Sequence, residues 1–149
     1  MFAHIIPRDL RSLGGRPHFA FSVDNARYRL LKAATPGAYT FILEATKEVP
    51  RRLSHPSRKT IGLRVPDNAI AQALLAELGQ PLLGTTLILP GEEHALSDPE
   101  EIRDGLEKLI DLVIDGGACR LEPTTVIDLT GPEPELIRQG LGEAAPFGL

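Results

Sequence analysis

Basic side chains cluster in one segment of this 149-residue sequence, between Lys47 and Lys59. The segment holds five basic residues and one acidic residue, whereas the whole chain has a net charge of −4. A basic cluster on an acidic chain favours binding of phosphate, nucleic acid or a carboxylate. A solvated loop whose arginines pair with nearby acids explains the same composition, and no Phe, Tyr or Trp is interleaved for base stacking. The candidate nucleic-acid-binding residues are Arg51, Arg52, Arg58 and Lys59.

Hydroxyl residues occur at two places where they could contact a ligand. The tripeptide GTT at 84–86 lies inside the apolar run 82–89, where a hydroxyl needs a partner, either a neighbouring carbonyl or a ligand. The pair Thr124-Thr125 precedes a further apolar segment, in which Arg138 lies among branched residues. An arginine in such surroundings requires an anion, which is either an acidic side chain or a ligand.

Several familiar chemical motifs are missing from the sequence. Neither GxxxxGK[ST] nor GxGxxG is present, which excludes a phosphate-binding loop of either kind. There is no CxxC, HExxH or EF-hand loop, and the four histidines lack metal-ligand spacing, so we predict no metal site. No serine lies in a GxSxG turn, and no residue is assigned as catalytic. The single cysteine, Cys119, excludes an internal disulfide and favours a reducing cytoplasm.

Length and composition predict one α/β domain over residues 1–149, with a mixed, twisted open sheet of six or seven strands and flanking helices. The apolar run 82–89 is far below the ~18–20 residues that a membrane span needs, so we expect no membrane partner. The predicted strands are 2–6, 39–45, 60–65, 82–89, 111–115, 124–129 and 135–139. The predicted helices are 25–34 after Asp24, 69–78 after Asp67 and 99–110 after Asp98, with a short turn at 9–13.

Taken in order, five segments resemble the YrdC-like family of threonylcarbamoyl-AMP synthases. They are TIGLRVPDNAIAQALL from residue 60, PLLGTTLILPG from 81, DLVIDGG from 111, PTTVIDLT from 123 and LIRQG from 136. The stretch PGAYTFILEATKEVPRRL, and TTLILPG in place of the family's STSANxSG, indicate the YciO branch. The resemblance extends over most of the chain and implies a twisted open α/β fold with a positively charged concave face.

The resemblance also implies a nucleotidyltransferase reaction. Family members join L-threonine, bicarbonate and ATP into threonylcarbamoyl-AMP with release of pyrophosphate, which serves a tRNA modification. ATP is a substrate, with Mg²⁺, and no tightly bound cofactor is expected; double-stranded RNA or tRNA is a further expected partner. By position, the nucleotide-binding residues are Thr60, Gly84 and Arg138, and the threonine-binding residues are Arg64, Thr86 and Thr124.

The sequence departs from the family pattern at several positions. Gly84 lacks a hydroxyl, Ile88 replaces an asparagine and Pro90 replaces a serine, so polar groups that could hold a phosphate or carboxylate are lost. The family's N-terminal strands, with their PTDTxYGL-like segment and KxR motif, have no counterpart here, and we expect a domain partial at its N-terminus with weak or no synthase activity. The alternatives are a double-stranded RNA or nucleotide-binding module without catalysis, and an inactive fragment whose sheet edges pair with another copy.

Overall fold

The computed structural model describes residues 4–10, 21–47, 49, 57, 59–120 and 122–149. The chain divides into two compact units. The first comprises the described residues up to Thr85 together with Thr124–Leu149, and the second comprises Thr86–Pro123. The sheet belongs to the first unit. None of the helices in the described ranges has the length and apolar character needed to cross a membrane.

The first unit contains a mixed sheet of seven strands. Six follow the order β5-β1-β4-β3-β6-β7, and β2 pairs additionally with β3. The pairs β1–β4 and β3–β6 are parallel and the others are antiparallel, which confirms the predicted mixed α/β sheet. The strands are β1 (His4–Ile6), β2 (Phe21–Ser22), β3 (Tyr39–Ala45), β4 (Thr60–Leu63), β5 (Leu82–Gly84), β6 (Thr125–Asp128) and β7 (Glu135–Arg138).

Two helices of the first unit begin at side-chain caps. Helix α1 (Asn25–Ala34) begins after Asp24, whose Oδ1 accepts a 2.8 Å hydrogen bond from the amide of Arg27, as predicted. Helix α2 (Ala69–Leu78) begins after Asn68, so the predicted cap Asp67 is wrong by one residue. The Asn68 side chain reaches the amide of Ala71 at 2.9 Å, the N3 amide that a cap side chain satisfies.

The hydrophobic core lies on one face of the sheet, because side chains alternate between the two faces along each strand. Leu31 of α1 and Phe147, in a short 3₁₀ turn (Ala145–Phe147), pack into it from outside the sheet. The rings of Tyr39 and Phe41 have their centroids 5.4 Å and 5.7 Å from that of Phe147. The strand residues buried on this face are Phe41, Leu43, Ile61, Leu63 and Ile127.

The second unit contains helix α3 (Pro99–Leu106). Its predicted beginning is correct, since Asp98 Oδ1 accepts hydrogen bonds from the amides of Glu100 at 2.8 Å and Glu101 at 3.5 Å. The helix ends at Leu106, four residues before the predicted end. Leu109 is 80% exposed, so a longer helix would bury no further apolar surface there.

One predicted strand is too long and another is wrong. The strand predicted over 82–89 ends at Gly84, and Thr85 and Thr86 lie beyond it as exposed residues rather than inside a buried strand. Residues 111–115 form no strand in the described chain, and Leu112 and Ile114 are 74% and 52% exposed. An apolar run indicates a strand only when a neighbouring backbone satisfies its hydrogen bonds, and the sequence pattern does not supply that neighbour.

Some predicted elements extend beyond the described residues. The first strand, predicted over 2–6, is described from His4, and the turn predicted over 9–13 is described only at Asp9 and Leu10. Within the basic segment from Lys47 to Lys59, residues 48, 50–56 and 58 lie outside the described ranges.

Candidate anion-binding site

The sheet face opposite the core carries polar side chains, and we call it the polar face. His4 pairs with Gly84 on one side and with Gly62 on the other, and directly paired residues project to the same side of a sheet. Thr60 and Arg64 lie two positions before and after Gly62, so they project to this same side. The amide of Arg64 donates a 3.0 Å hydrogen bond to the carbonyl of Ile5, which continues the ladder beyond β4.

The polar face continues across the other three strands. Thr40 pairs with Val126, and Val126 pairs with Arg138. Thr124 lies two positions before Val126, directly ahead of β6, and therefore projects to the same side. The polar face thus holds both predicted arginines, Arg64 and Arg138.

A threonine pair and an arginine form the best-defined part of the polar face. The Oγ1 atoms of Thr40 and Thr124 are 2.8 Å apart, and Thr40 is only 3% exposed. Nη2 of Arg138 donates a 2.9 Å hydrogen bond to the carbonyl oxygen of Thr124. The prediction that the pair Thr124-Thr125 and Arg138 lie on adjacent strands is confirmed, because Thr125 begins β6 and Arg138 ends its neighbour β7. The arginine itself is exposed rather than buried among apolar residues.

The two threonines of the pair Thr124-Thr125 project to opposite faces of the sheet. Thr125 lies on the core side, fully buried, and its Oγ1 donates a 2.5 Å hydrogen bond to the carbonyl of Gly142. The same Oγ1 accepts a 3.0 Å hydrogen bond from the amide of Gly140. Thr125 therefore secures the chain that follows β7, and Thr124 is the threonine of this pair that can face a ligand.

The histidine on the polar face lies in a positive electrostatic environment. Burial lowers the pKa of the His4 imidazole below its ordinary value of 6.5, and the charge of Arg64 acts in the same direction. Arg138 also lowers this pKa, whereas a backbone hydrogen bond at Gly84 raises it. Both arginines thus make the electrostatic surroundings of His4 positive, which favours an anion.

An acidic residue of β6 also projects to the polar face, but its carboxylate already has a hydrogen-bond partner. Asp128 pairs with Ile42 and so projects to the polar face. Its Oδ1 accepts hydrogen bonds from the amide of Thr130 at 2.8 Å and from Thr130 Oγ1 at 2.6 Å. Among the described residues, no carboxylate forms a salt bridge with Arg138.

Gly84 makes room for a neighbouring side chain. A Cβ atom at position 84 would lie 2.5 Å from Cδ1 of Ile6 and 3.6 Å from its Cγ1. The position that holds a hydroxyl residue in the family pattern is therefore occupied by the end of the Ile6 side chain.

Thr86 and Lys59 lie outside the strands whose register defines the polar face. Thr86 belongs to the second unit, where it is exposed and its carbonyl accepts a 3.0 Å hydrogen bond from the amide of Ile88. Lys59 is exposed with a left-handed φ of 54°, and Arg51, Arg52 and Arg58 lie outside the described residues. No group of three His, Cys, Asp or Glu side chains in the described ranges could hold a metal ion.

Sequence reasoning missed two residues of the polar face, His4 and Thr40. The alternation in YTFILEA places Thr40, Ile42 and Glu44 on one side of β3, which is the signal that could have found the threonine. His4 carries no such signal, because its neighbours come from strands distant in sequence.

These features define a class of protein: an α/β sheet protein that presents arginines and hydroxyl groups together on one face, as binding of a small anion requires. Comparison with known sequences identifies the family. The profile of the Sua5/YciO/YrdC family, described as "Telomere recombination", matches residues 9–140. The chain belongs to this family.

Individual relatives agree with this assignment. The Escherichia coli (strain K12) protein named "Uncharacterized protein YciO" is 61% identical over 125 residues, which cover 84% of this chain and 61% of the relative. The threonylcarbamoyl-AMP synthase of Bos taurus is 36% identical over 111 residues, covering 69% of this chain and 39% of the relative. The chain thus spans about three-fifths of the length of the YciO relatives it matches.

Solved structures show the same fold. The crystal structure of E. coli YciO matches with a TM-score of 0.88 and 55% identity, covering 98% of this chain and 69% of that chain. The crystal structure of P. abyssi Sua5 complexed with L-threonine matches with a TM-score of 0.78 and 27% identity, covering 93% of this chain and 40% of that chain. The fold expected from the resemblance is confirmed.

Proposed function

We propose that the polar face binds a nucleotide and L-threonine for a reaction of the threonylcarbamoyl-AMP synthase type. The observation that carries the proposal is the assembly of Arg138, Thr124 and Thr40, fixed by hydrogen bonds on the same face as Arg64. Support comes from the 36% identity to a threonylcarbamoyl-AMP synthase and from the likeness to a Sua5 protein that binds L-threonine.

The proposed chemistry assigns a different set of side chains to each ligand. The threonine amino nitrogen bonds to the carbon of bicarbonate with loss of water, which gives a carbamate. A carbamate oxygen then bonds to the α-phosphate of ATP, while pyrophosphate leaves with the electron pair of the broken phosphate bond. Cationic groups fixed in place stabilise the charge that develops on the phosphates. We assign Arg138, Thr60 and the backbone at Gly84 to the nucleotide, and we assign Arg64 and Thr124 to threonine.

We propose that synthesis by this chain is weak. Gly84, Ile88 and Pro90 supply no side-chain polar group at positions where the family pattern has Ser, Asn and Ser. Each missing hydrogen bond to a charged ligand costs roughly 1.5–3 kcal/mol, so binding suffers before chemistry begins. ATP with Mg²⁺ bound to its phosphates, bicarbonate, a role in tRNA modification and a cytoplasmic location belong to the same proposal.

Calorimetric titration of the purified chain with ATP and with L-threonine tests the proposal. We expect both ligands to bind, and we expect Arg138→Ala to weaken ATP binding while Arg120→Ala does not. Arg120 is a matched control because it is an exposed arginine of the second unit. A coupled assay for pyrophosphate with threonine and bicarbonate then measures synthesis. Absence of both ATP and threonine binding would contradict the proposal.

A second candidate function is double-stranded RNA binding through the basic segment. It is favoured by the five basic residues between Lys47 and Lys59 in a chain of net charge −4. Because phosphate contacts release counterions, RNA affinity through this segment must fall steeply with salt. We expect the triple variant of Arg51, Arg52 and Arg58 to alanine to lose RNA binding in a mobility-shift titration at two salt concentrations. Unchanged binding by this variant would exclude the basic segment as the RNA-binding surface.

A further inference from the structure

His4 lies on the polar face, on the strand next to the edge strand β5, and the proposed roles above leave it unassigned. It pairs with Gly62 of β4 and Gly84 of β5, so neither direct neighbour carries a side chain that could cover the imidazole. Ile6, two positions along β1, extends toward Gly84 and closes the side facing β5. The ring is therefore half-buried yet flanked by two positions without side chains.

Among the described residues, the charged side chains that act on His4 are both positive. Arg64 follows β4 and Arg138 ends β7, and both act electrostatically on the imidazole. Strand β5 (LLG) carries no titratable side chain. On β3, Glu44 projects to the same face but lies beside Thr60, one row away from His4, and is exposed.

The acidic groups in the row of His4 are Asp128 of β6 and its partner Glu135 of β7, which lie three and four strands away from β1. The Asp128 carboxylate is engaged by Thr130, in the turn that follows β6. A protonated imidazole would thus add a third positive charge to two arginines, which is unfavourable until an anion arrives.

We propose that His4 contacts the anionic group of the ligand at the polar face and takes up a proton as that ligand binds. The inference deepens the function proposed above, and rests on it for the identity of the ligand as a phosphate or carboxylate. Before binding, the imidazole is neutral because the arginines oppose its charge. A bound anion reverses that balance, and the protonated ring then donates a hydrogen bond to it.

This linkage predicts tighter anion binding at lower pH. A negative charge within hydrogen-bonding distance raises the pKa of an imidazole by roughly 1–3, and each pKa unit corresponds to about tenfold in affinity once the proton is taken up. The contribution is present only below the pKa that His4 has in the complex. Above it the imidazole stays neutral and the two arginines bind the anion alone.

Titration calorimetry with inorganic pyrophosphate and with ATP tests the inference. Running each titration in two buffers of different ionisation enthalpy counts the protons taken up on binding. We compare the wild-type chain with His4→Gln, and use His94→Gln, at an exposed position of the second unit, as the control. Protonation of the ligand's own phosphates is common to all three proteins and cancels.

We expect pyrophosphate affinity to rise from ~pH 8 to ~pH 6 by about tenfold more in wild type and His94→Gln than in His4→Gln, with proton uptake lost only in the last. Equal proton uptake by wild type and His4→Gln overturns the role of His4 while leaving the proposed function intact. Pyrophosphate binding with His4-dependent uptake, but no ATP or threonine binding, supports His4 and overturns the proposed function. No binding of any anion overturns both.

A measurement on the wild-type chain alone tests the same inference without depending on whether the variant folds. The His4 ring resonances are followed by NMR against pH, with and without saturating pyrophosphate. An upward displacement of the His4 titration midpoint on binding supports the inference, and an unchanged midpoint overturns it.

Discussion

Arg138 and Thr124 are joined across β6 and β7 by the 2.9 Å hydrogen bond from the guanidinium Nη2 to the threonine carbonyl oxygen. The bond uses one N–H of a group that carries five. It fixes the guanidinium beside the hydroxyl pair of Thr40 and Thr124. The arginine is thereby positioned before a ligand arrives, which lowers the conformational entropy lost on binding.

The first prediction concerns removal of this arginine. Because Arg138 is exposed, Arg138→Ala is expected to change the free energy of unfolding by no more than about 0.5 kcal/mol. Its loss from the polar face is expected to weaken ATP binding by roughly 1.5–3 kcal/mol, about 10- to 100-fold. Arg138→Lys keeps the charge but not the planar guanidinium group, so its ATP affinity should lie between that of the wild type and that of Arg138→Ala. Urea unfolding and calorimetry measure the two quantities, and wild-type ATP affinity in Arg138→Ala would falsify the assignment.

The polar face shows which features of the site can be predicted from the sequence. Alternation along PTTVIDLT and TIGLRV correctly indicated strands, and it determines which residues of one strand share a side. It does not determine strand order, so the arrangement of Arg64, Thr40 and Arg138 on one face could not be derived from local pattern. Strand order depends on contacts between distant segments, which single-sequence periodicity does not encode.

The second unit shows where prediction from the sequence fails. Leu87 to Leu89 and Leu112 to Ile114 have the apolar character of buried strands, yet none of these residues pairs in the described sheet. Composition is a weak guide there because burial is decided by what packs against a segment. His4 was overlooked for a related reason: a lone histidine acquires meaning only from Gly62, Gly84 and Arg64, which the fold brings to it.

A second prediction contrasts two neighbouring threonines on opposite faces. Thr125→Val removes the buried hydroxyl that bonds Gly140 and Gly142, and is expected to lower the free energy of unfolding by about 1–3 kcal/mol. Ligand affinity should be unchanged, since Thr125 does not reach the polar face. Thr124→Val is the matched variant and is expected to weaken L-threonine binding, because it removes the hydroxyl that faces the ligand. Calorimetry and urea unfolding on both proteins check the contrast, and equal threonine affinities would contradict it.

A third prediction concerns the contact between Gly84 and Ile6. Gly84→Ala places a Cβ 2.5 Å from Cδ1 of Ile6 and is expected to destabilise the chain by about 0.5–1.5 kcal/mol, because the flexible end of Ile6 must rotate away from the new methyl group. Ile6→Val removes that methyl group and leaves Cγ1, which lies at an ordinary 3.6 Å from the new Cβ. In the Ile6→Val background the same Gly84→Ala change should therefore cost much less.

Urea unfolding of the two single variants and the double variant forms the cycle that checks this contact. Additive effects, with Gly84→Ala equally costly in both backgrounds, would show that Ile6 does not limit the space at position 84. Measuring the ATP affinity of Gly84→Ser in the Ile6→Val background then tests whether a hydroxyl at this position strengthens ATP binding.

A fourth prediction follows from the lowered pKa of His4 in the ligand-free chain. Burial and the charge of Arg64 lower this pKa below 6.5, so as pH falls the unfolded chain takes up the proton before the folded chain does. The unfolded state is thereby favoured, and the free energy of unfolding is expected to decrease as pH drops through 6.5 toward the folded pKa of His4. His4→Gln removes this component and should show a shallower decrease over that range, whereas His94→Gln should keep the wild-type slope. Urea unfolding of the three proteins across this pH range measures the difference. Parallel curves for wild type and His4→Gln would mean that His4 is not held neutral by its surroundings.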